Sequence, residues 1–566
     1  MSAYALTRQL DFASIVVDGE HIKLRCSFSL LDNAKAVPGH KWIPHAKSWV
    51  YPATPEVAAA IGQQFNGDYV KFDAKFGALL KRAGEIERGR NLSKSKPNEL
   101  PEPPSKTKAW DHQKRAFHFA KSMPGAMLAM EMGCGKSKVA VDLCCANDRK
   151  VVLVCCPLSV TKVWTREFQT HGIHPYECTV LTGDITAKRA EKMLFHIGVA
   201  QAKHLRAVVI VNHEAVWRGD FAKALLGAGI DQVIVDESHR AKDPSGRLST
   251  FLWQYRKRVP NVLMLSGTPM PHSEQDIFAQ YRALDPGVFG DNYFKFRLHF
   301  FKMGGFKNKQ VIGLKEERAD EFKAKVARLM FRVTKAEALD LPDEIYSTVE
   351  CDMPDEARKI YDQMFEDFYT KVEHGEITAS NALVQLLKLQ QITSGFASDD
   401  QKNIRWVGDH KRDLLASCLG DTPAGHRAVV FCRFTRDLET VRDVAGKLGR
   451  VYGEISGKQK DLTTDAKMPP HIDVMGVQIQ AGGVGIDLTA ADYAFYYSAG
   501  FSFGDYDQSR SRLHRPGQRN PVTYTNLVVR NTIDARVFAA LAKREDAVNS
   551  ILNNLPEIKQ EWRDGV

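Results

Sequence analysis

No stretch of this 566-residue chain stays apolar for the roughly 18 residues that a membrane helix needs, so a bilayer-spanning role is not expected. Met1 to Leu10 lack the apolar run of a secretory signal. The ten cysteines form no Cys-x-x-Cys pair and no Cys/His cluster at zinc spacing, which sets aside a zinc module and a disulfide scaffold. Cys144, Cys145, Cys155 and Cys156 lie in apolar runs, where a buried free thiol is the expected state, and a reducing cytoplasm fits. Internal repeats and low-complexity tracts are also missing, so no solenoid is expected. Nor is one sign of charge in great excess. Lys and Arg number 78 against 68 Asp and Glu, and a net +10 over this length is too mild to declare a polyanionic partner by itself.

What is there is ordinary soluble-protein material, 44% hydrophobic and 26% charged, long enough for about three to five domains. Residues 1–72 alternate polar and apolar positions in short runs, such as His21-Ile22-Lys23-Leu24-Arg25, with Trp42, Trp49 and several turn formers. This reads as a small α+β module. Residues 73–108 turn polar and carry Pro97, Pro101, Pro103 and Pro104, the composition of a linker. From 109 to 275 helical segments alternate with short, continuously apolar runs (Val151–Cys155, Val208–Val211, Val233–Val235, Val262–Leu265), as strands buried on both faces of a parallel sheet should. Residues 276–400 read as mostly helical. From 401 to 566 β-rich runs return at Ala428–Phe431, Asp473–Ile479, Tyr493–Tyr497 and Thr523–Val529. The expected class is α/β, with two parallel-sheet lobes, helical insertions between them and the small N-terminal module.

A nucleotide site follows from short motifs. In Met130-Glu131-Met132-Gly133-Cys134-Gly135-Lys136-Ser137 the glycines Gly133 and Gly135, with Cys134 between them, let backbone N–H groups face phosphates. Lys136 would neutralise the β and γ groups of ATP, and Ser137 would ligate Mg²⁺. Met130 stands where the general phosphate-loop pattern has its first glycine. About a hundred residues on, Val233-Ile234-Val235-Asp236-Glu237-Ser238-His239 is a buried run ending in two acids. At that place in P-loop motors one acid (Asp236) holds Mg²⁺ and the next (Glu237) polarises the attacking water. Ser266-Gly267-Thr268-Pro269 ends another buried run. Gln113 precedes the phosphate loop, where its amide could pair bidentately with adenine.

In order, these segments resemble helicase-like superfamily two and, within it, the Swi/Snf family of DNA translocases, over roughly residues 110 to 545. Further segments carry the likeness: Cys156-Pro157-Leu158-Ser159-Val160 with Trp164; Asp285-Pro286-Gly287-Val288-Phe289-Gly290; Arg332-Val333-Thr334-Lys335 running to Leu341-Pro342; and Val429-Val430-Phe431-Cys432-Arg433-Phe434. Two more lie near the C-terminus, Gln480-Ala481-Gly482-Gly483-Val484-Gly485-Ile486-Asp487-Leu488-Thr489 and Gln508-Ser509-Arg510-Ser511-Arg512-Leu513-His514-Arg515-Pro516-Gly517-Gln518. The resemblance implies two RecA-like lobes of the P-loop NTPase kind. It makes Arg512 and Arg515 arginine fingers reaching the γ-phosphate, and gives Gly485 and Asp487 to the nucleotide. By motif position it places Ser159, Lys162, Asn212, Arg433 and Thr489 on the DNA backbone. Four departures stand out: Arg332-Val333 replaces the usual paired arginines, Asp487 replaces the family's usual Asn, Phe501-Ser502-Phe503 replaces a common Trp-Asn-Pro, and Gly457 to Pro470 is shortened and irregular.

Pro38-Gly39-His40-Lys41-Trp42-Ile43-Pro44 leading to Trp49-Val50-Tyr51-Pro52 resembles the HARP domain that precedes the motor in annealing helicases, which implies recognition of forked or junction DNA. Aromatic rings near Lys41 and Lys47 could stack on exposed bases; equally, both tryptophans could fill a small core. The expectation is a DNA-dependent ATPase that uses ATP and Mg²⁺ to translocate on double-stranded or forked DNA, remodelling forks, annealed bubbles or protein–DNA complexes. A strand-separating DNA or RNA helicase, a restriction-type motor subunit, and an ATP-gated DNA-binding scaffold are the alternatives; no nuclease motif is recognisable. Without a nuclear address or a histone-reading module, a prokaryotic or phage-infected cytoplasm is the expected setting.

Overall fold

The computed structural model describes residues 11–19, 21–183, 185–304, 310–374, 379–398, 403–462, 467–480, 486–543 and 547–564. Its N-terminal module is a five-stranded sheet in the order Lys41–Ile43, Ser48–Pro52, His21–Cys26, Ala13–Asp18, Val70–Phe72. The pairings are antiparallel except the last, which is parallel. Strand His21–Cys26 alternates exposed and buried positions, so Ile22 and Leu24 enter the core while His21, Lys23 and Arg25 face out. Helix Pro55–Gln64 closes that core with Ala58 and Ile61.

The first lobe is a seven-stranded, wholly parallel sheet. Its order is Met330–Val333, Gly125–Met130, Val262–Leu265, Gln232–Asp236, Val151–Cys156, Arg206–Asn212, Tyr176–Leu181. Gly125–Met130, Val151–Cys156 and Val262–Leu265 are buried at every position, because helices cover both faces. The second lobe is a six-stranded parallel sheet ordered Glu344–Cys351, Val522–Val529, Tyr493–Tyr496, Ala428–Cys432, Val474–Gln478, Tyr452–Ile455. The apolar runs read from the sequence in both lobes are strands, and the α/β, two-lobed architecture stands. A buried ion pair, Lys411 Nζ to Asp534 Oδ2 at 2.5 Å, ties the helices of the second lobe together.

Two stretches differ from expectation. Residues 73–108 are not a free linker. Helix Ala74–Ser93 spans most of them, with Phe76 buried in the core of the N-terminal module and Ile86 in that of the first lobe. The proline-bearing remainder is pinned to the first lobe: Lys114 pairs with Glu102 at 2.6 Å, His118 Nε2 lies 2.8 Å from the Pro101 carbonyl, and Lys106 N donates to the His171 carbonyl. Residues 276–400 do carry the helices Ile277–Leu284, Tyr293–Phe300, Asp355–Glu373 and Ala379–Thr393, but they also lend an edge strand to each lobe. Met330–Val333 pairs with the strand that leads into the phosphate loop, and Glu344–Cys351 pairs with Val522–Val529. No helix among the described residues is long and apolar enough to cross a membrane.

Candidate active site

Strand Gly125–Met130 runs into a loop that ends at helix Lys136–Ala146. Gly133 and Gly135 have φ of 88° and 76°, the left-handed region in which a side chain is strained. A Cβ on Gly135 would stand 2.2 Å from Gln113 Nε2 and push that amide aside, while the dihedral itself demands glycine. Lys136 Nζ donates to the Met130 carbonyl at 2.8 Å, holding the ammonium at the mouth of the loop. Ser137 is half-buried in the first helical turn. Cys134 is fully buried and burial pushes its thiol up to about 11, so it is packing material and not a nucleophile.

Gln113 is buried, and its amide braces the loop: Oε1 accepts from Trp110 N at 3.0 Å and Nε2 donates to the Cys134 carbonyl at 3.2 Å. One N–H and one lone pair remain for a base. The bidentate adenine contact expected from the sequence therefore shares this amide with the protein's own backbone. His112 Nε2 meets the same Cys134 carbonyl at 2.8 Å.

Strand Gln232–Asp236 delivers the two acids beside the phosphate loop. Asp236 Oδ2 accepts from Trp164 Nε1 and Oδ1 from Glu237 N, each at 3.0 Å. Burial, then the neighbouring Glu237 charge, pushes Asp236 upward, with Lys136 and the Trp164 bond opposing. For Glu237 burial also raises, but the His239 hydrogen bond and charge, with Lys136 and Arg512, outweigh it and hold the carboxylate low. Its Oε2 lies 3.3 Å from His239 Nδ1, which is also 3.3 Å from Ser266 Oγ. His239 thus joins the acidic pair to the Ser266-Gly267-Thr268 turn. Glu237 itself has φ of 49°, a strained conformation that packing imposes.

The second lobe meets this assembly directly. A Cβ on Gly133 would stand 3.3 Å from Pro516 Cδ and 3.5 Å from Arg515 Cβ, so the basic segment lies against the phosphate loop. Ser511 Oγ donates to Met132 Sδ, Arg515 Nη1 to the Ile486 carbonyl, and Arg512 is among the charges acting on Glu237. Between the lobes is a cleft of about 460 Å³, lined by Glu237, His239 and Thr268 on one side and Gln480, Asp505 and Gln508 on the other, a size that suits a small ligand. Lys136, Asp236, Glu237, Arg512 and Arg515 are brought to one place.

Other expected site residues are placed less simply. Asp487 Oδ1 accepts from Thr489 N at 3.0 Å and from Thr489 Oγ1 at 2.7 Å, so these two side chains, assigned to different ligands, close one turn together. Gly485 and the Ala481–Val484 part of its motif lie outside the described residues, as does the side chain of Ser159. Residues 463–466 of the irregular Gly457 to Pro470 stretch also lie outside them. Lys162 is exposed in the first turn of helix Thr161–His171, and Asn212 ends its strand with Nδ2 donating to Glu214 Oε2. The Arg433 guanidinium stacks 4.7 Å over the Phe501 ring, which gives the Phe501-Ser502-Phe503 departure a role. In the N-terminal module Trp49 is core, whereas Trp42 is 43% exposed with its ring 5.2 Å from that of Trp49; Lys41 and Lys47 are exposed beside it. Trp164 escaped sequence reasoning as a contact of the acids, since no local signal marks a contact across 72 residues; His239 stands two residues past Glu237 in the motif already quoted, but only the fold shows its ring turned onto that acid.

Comparison with known proteins finds family likenesses over most of the chain. The description "SNF2-related domain" matches residues 48–395 and "Helicase conserved C-terminal domain" matches 410–517. A Caenorhabditis elegans protein named "SWI/SNF-related matrix-associated actin-dependent regulator of chromatin subfamily A-like protein 1 homolog" is 24% identical over 92% of this chain and 73% of its own length. The mouse "Chromodomain-helicase-DNA-binding protein 1-like" is 25% identical over 76% of this chain, which spans 48% of that relative. Human "DNA annealing helicase and endonuclease ZRANB3" is 24% identical over 79% of this chain and 40% of its own length. The solved "Sulfolobus solfataricus SWI2/SNF2 ATPase core in complex with dsDNA" aligns over 79% of this chain and 93% of that one, with 20% identity and a TM-score of 0.38.

Proposed function

The chain belongs to the family of the SNF2-related domain, and on that premise we propose that it is a DNA-dependent ATPase that moves along double-stranded DNA and remodels forks, annealed bubbles or bound proteins. The observation that carries the reading is the meeting of Gly133 with Arg515 across the cleft, which sets a phosphate loop against cations of the opposite lobe. Lys136 neutralises the β and γ phosphates of ATP. Glu237, held ionised by His239, orients the attacking water. Arg512 and Arg515 act on charge that grows in the transition state, so their effect falls on turnover more than on binding. Because they come from the second lobe, hydrolysis and lobe closure are coupled, and each cycle shifts one lobe along the backbone.

The donor set suits Mg²⁺. Asp236 is a buried acid raised by a like-charged neighbour, a tension that a divalent cation relieves, and the Ser137 hydroxyl stands in the adjacent helical turn. Asp236 and Ser137 would hold the ion, which when bound would supply neutralising charge to the phosphates of the nucleotide. The relative named for DNA annealing supports DNA as the track.

For the N-terminal module the proposed role is recognition of forked DNA through exposed Trp42 with Lys41 and Lys47. Helix Ala74–Ser93 is rooted in two cores, so deleting the module would damage the first lobe. Lys41→Glu with Lys47→Glu in the full chain is the appropriate change. The test is ATPase activity of both proteins titrated with single-stranded, duplex and forked DNA. Stimulation by duplex in both, with fork preference reduced only in the variant, is expected. Absence of DNA-stimulated turnover would overturn the motor reading in favour of an ATP-gated scaffold, and displaced strands among the products would favour a strand-separating helicase.

A further inference from the structure

A groove of about 700 Å³ on the first lobe, away from the cleft, has an unusual rim. Trp217 is half-buried in it, and two guanidinium groups, Arg218 and Arg247, each lie 4.9 Å from its ring centroid. Both arginines are exposed, and neither forms an ion pair with a described residue. Two like charges on one indole repel each other, and the ring can attract them only modestly, by about 0.5–1 kcal/mol each at exposed sites. What completes such an arrangement is an anion for each guanidinium fork, and phosphate is the matching geometry. Arg247 is also the first residue of helix Arg247–Tyr255, whose N-cap is Gly246 with no side-chain cap, so the free N–H groups of that terminus add positive potential at the same spot.

Topology says which phosphate. In this parallel sheet the strands Gln232–Asp236, Val151–Cys156 and Arg206–Asn212 lie side by side and run in the same direction. The segments leaving their C-terminal ends lead to Arg247, Lys162 and Arg218 in turn. All three cations therefore stand on the edge of the lobe from which Lys162 and Asn212 are proposed to touch DNA. We propose that Arg218 and Arg247, pre-oriented by Trp217, clamp backbone phosphates of the DNA duplex and extend its track beyond the positions that the motifs mark. Phe251 and exposed Leu226 floor the groove with apolar surface, against which the faces of deoxyribose rings pack. Trp217 is a positioning residue here; it carries no charge of its own to the phosphate.

This proposal rests on the reading of the chain as a duplex-binding motor, and the two fail differently. Duplex affinity of the full chain is measured over about 50–200 mM salt, where each neutralised phosphate contributes about 0.9 to the slope of log K against log salt. Arg218→Gln with Arg247→Gln is expected to lower that slope by about 1.8 and to weaken binding over tenfold at the low-salt end, while Arg218→Lys with Arg247→Lys keeps most of the slope. An unchanged slope in the Gln pair overturns the clamp but leaves the motor reading standing; no salt-dependent duplex binding by the unaltered protein overturns that reading itself. A second measurement needs no variant. Duplex DNA should protect Arg218 and Arg247 of the unaltered protein from an arginine-specific dicarbonyl reagent, and equal modification with and without DNA refutes the clamp.

Discussion

Replacing Trp164 by Phe isolates a single polar contact at the proposed metal-holding acid. Trp164 is 1% exposed, and its only polar atom donates to Asp236 Oδ2 at 3.0 Å. Phenylalanine keeps an aromatic ring against Phe168, whose centroid lies 6.3 Å away, but removes the donor. A hydrogen bond to a charged group is worth about 1.5–3 kcal/mol, and at about 1.4 kcal/mol per factor of ten that is roughly 10- to 150-fold. The loss falls on the ionised carboxylate, since burial and Glu237 already push Asp236 upward and the Trp164 bond is one of the few forces opposing them. Without it the acid rises further and ionises at higher pH. The ion-holding form is the deprotonated one, so the acid limb of the activity profile should move to higher pH. The assay is DNA-stimulated ATP hydrolysis against Mg²⁺ concentration at several pH values. Expected are a half-saturating Mg²⁺ concentration raised about tenfold or more and an alkaline shift of the acid limb. A variant with unchanged Mg²⁺ dependence and unchanged pH profile would show that this contact only packs the core, and the reasoning would be refuted.

Other changes test the remaining parts. Lys136→Ala should abolish turnover, whereas Glu237→Gln should retain ATP binding, measured by a fluorescent analogue, and lose hydrolysis; wild-type turnover in the latter would remove Glu237 from the mechanism. Arg512→Ala and Arg515→Ala should each lower DNA-stimulated turnover by about 10³-fold or more with little change in duplex affinity, and parallel losses in both would place them on the DNA backbone instead. Lys411→Ala strips Asp534 of its buried partner and should cost about 3–5 kcal/mol of second-lobe stability in urea titrations, with a loss under 1 kcal/mol counting against the pair's importance.

Much of this protein was decided within short windows of its sequence. The continuous apolar runs read as strands covered on both faces because they are only a few residues long and rich in valine and isoleucine, too short for a buried helix. The phosphate loop was legible only in company: Gly133-Cys134-Gly135-Lys136-Ser137 alone could be an ordinary glycine turn, and the acid pair about a hundred residues on decides it. The pairing of Asp236 with Glu237 at a strand end was legible for the same reason.

Tertiary structure decided the rest, wherever a residue's role depends on what comes to meet it. Helix Ala74–Ser93 reads as a linker because its apolar residues are sparse among Lys, Arg and Glu; only the presence of two separate cores gives Phe76 and Ile86 somewhere to be buried. The edge strands Met330–Val333 and Glu344–Cys351 sit in helical surroundings, and Glu344–Cys351 is largely exposed, so it lacks the apolar run that reveals a central strand. Gln113 looked like a free amide for a base until the fold spent half of its hydrogen-bonding capacity on Trp110 and Cys134. Trp164 meets Asp236, Arg247 meets Trp217 and His239 meets Ser266 only because the fold brings distant parts of the chain together. Periodicity and motif report what a segment can do alone; which charges face each other across a cleft is fixed by close packing of whole lobes, and that is where the acids met their cations.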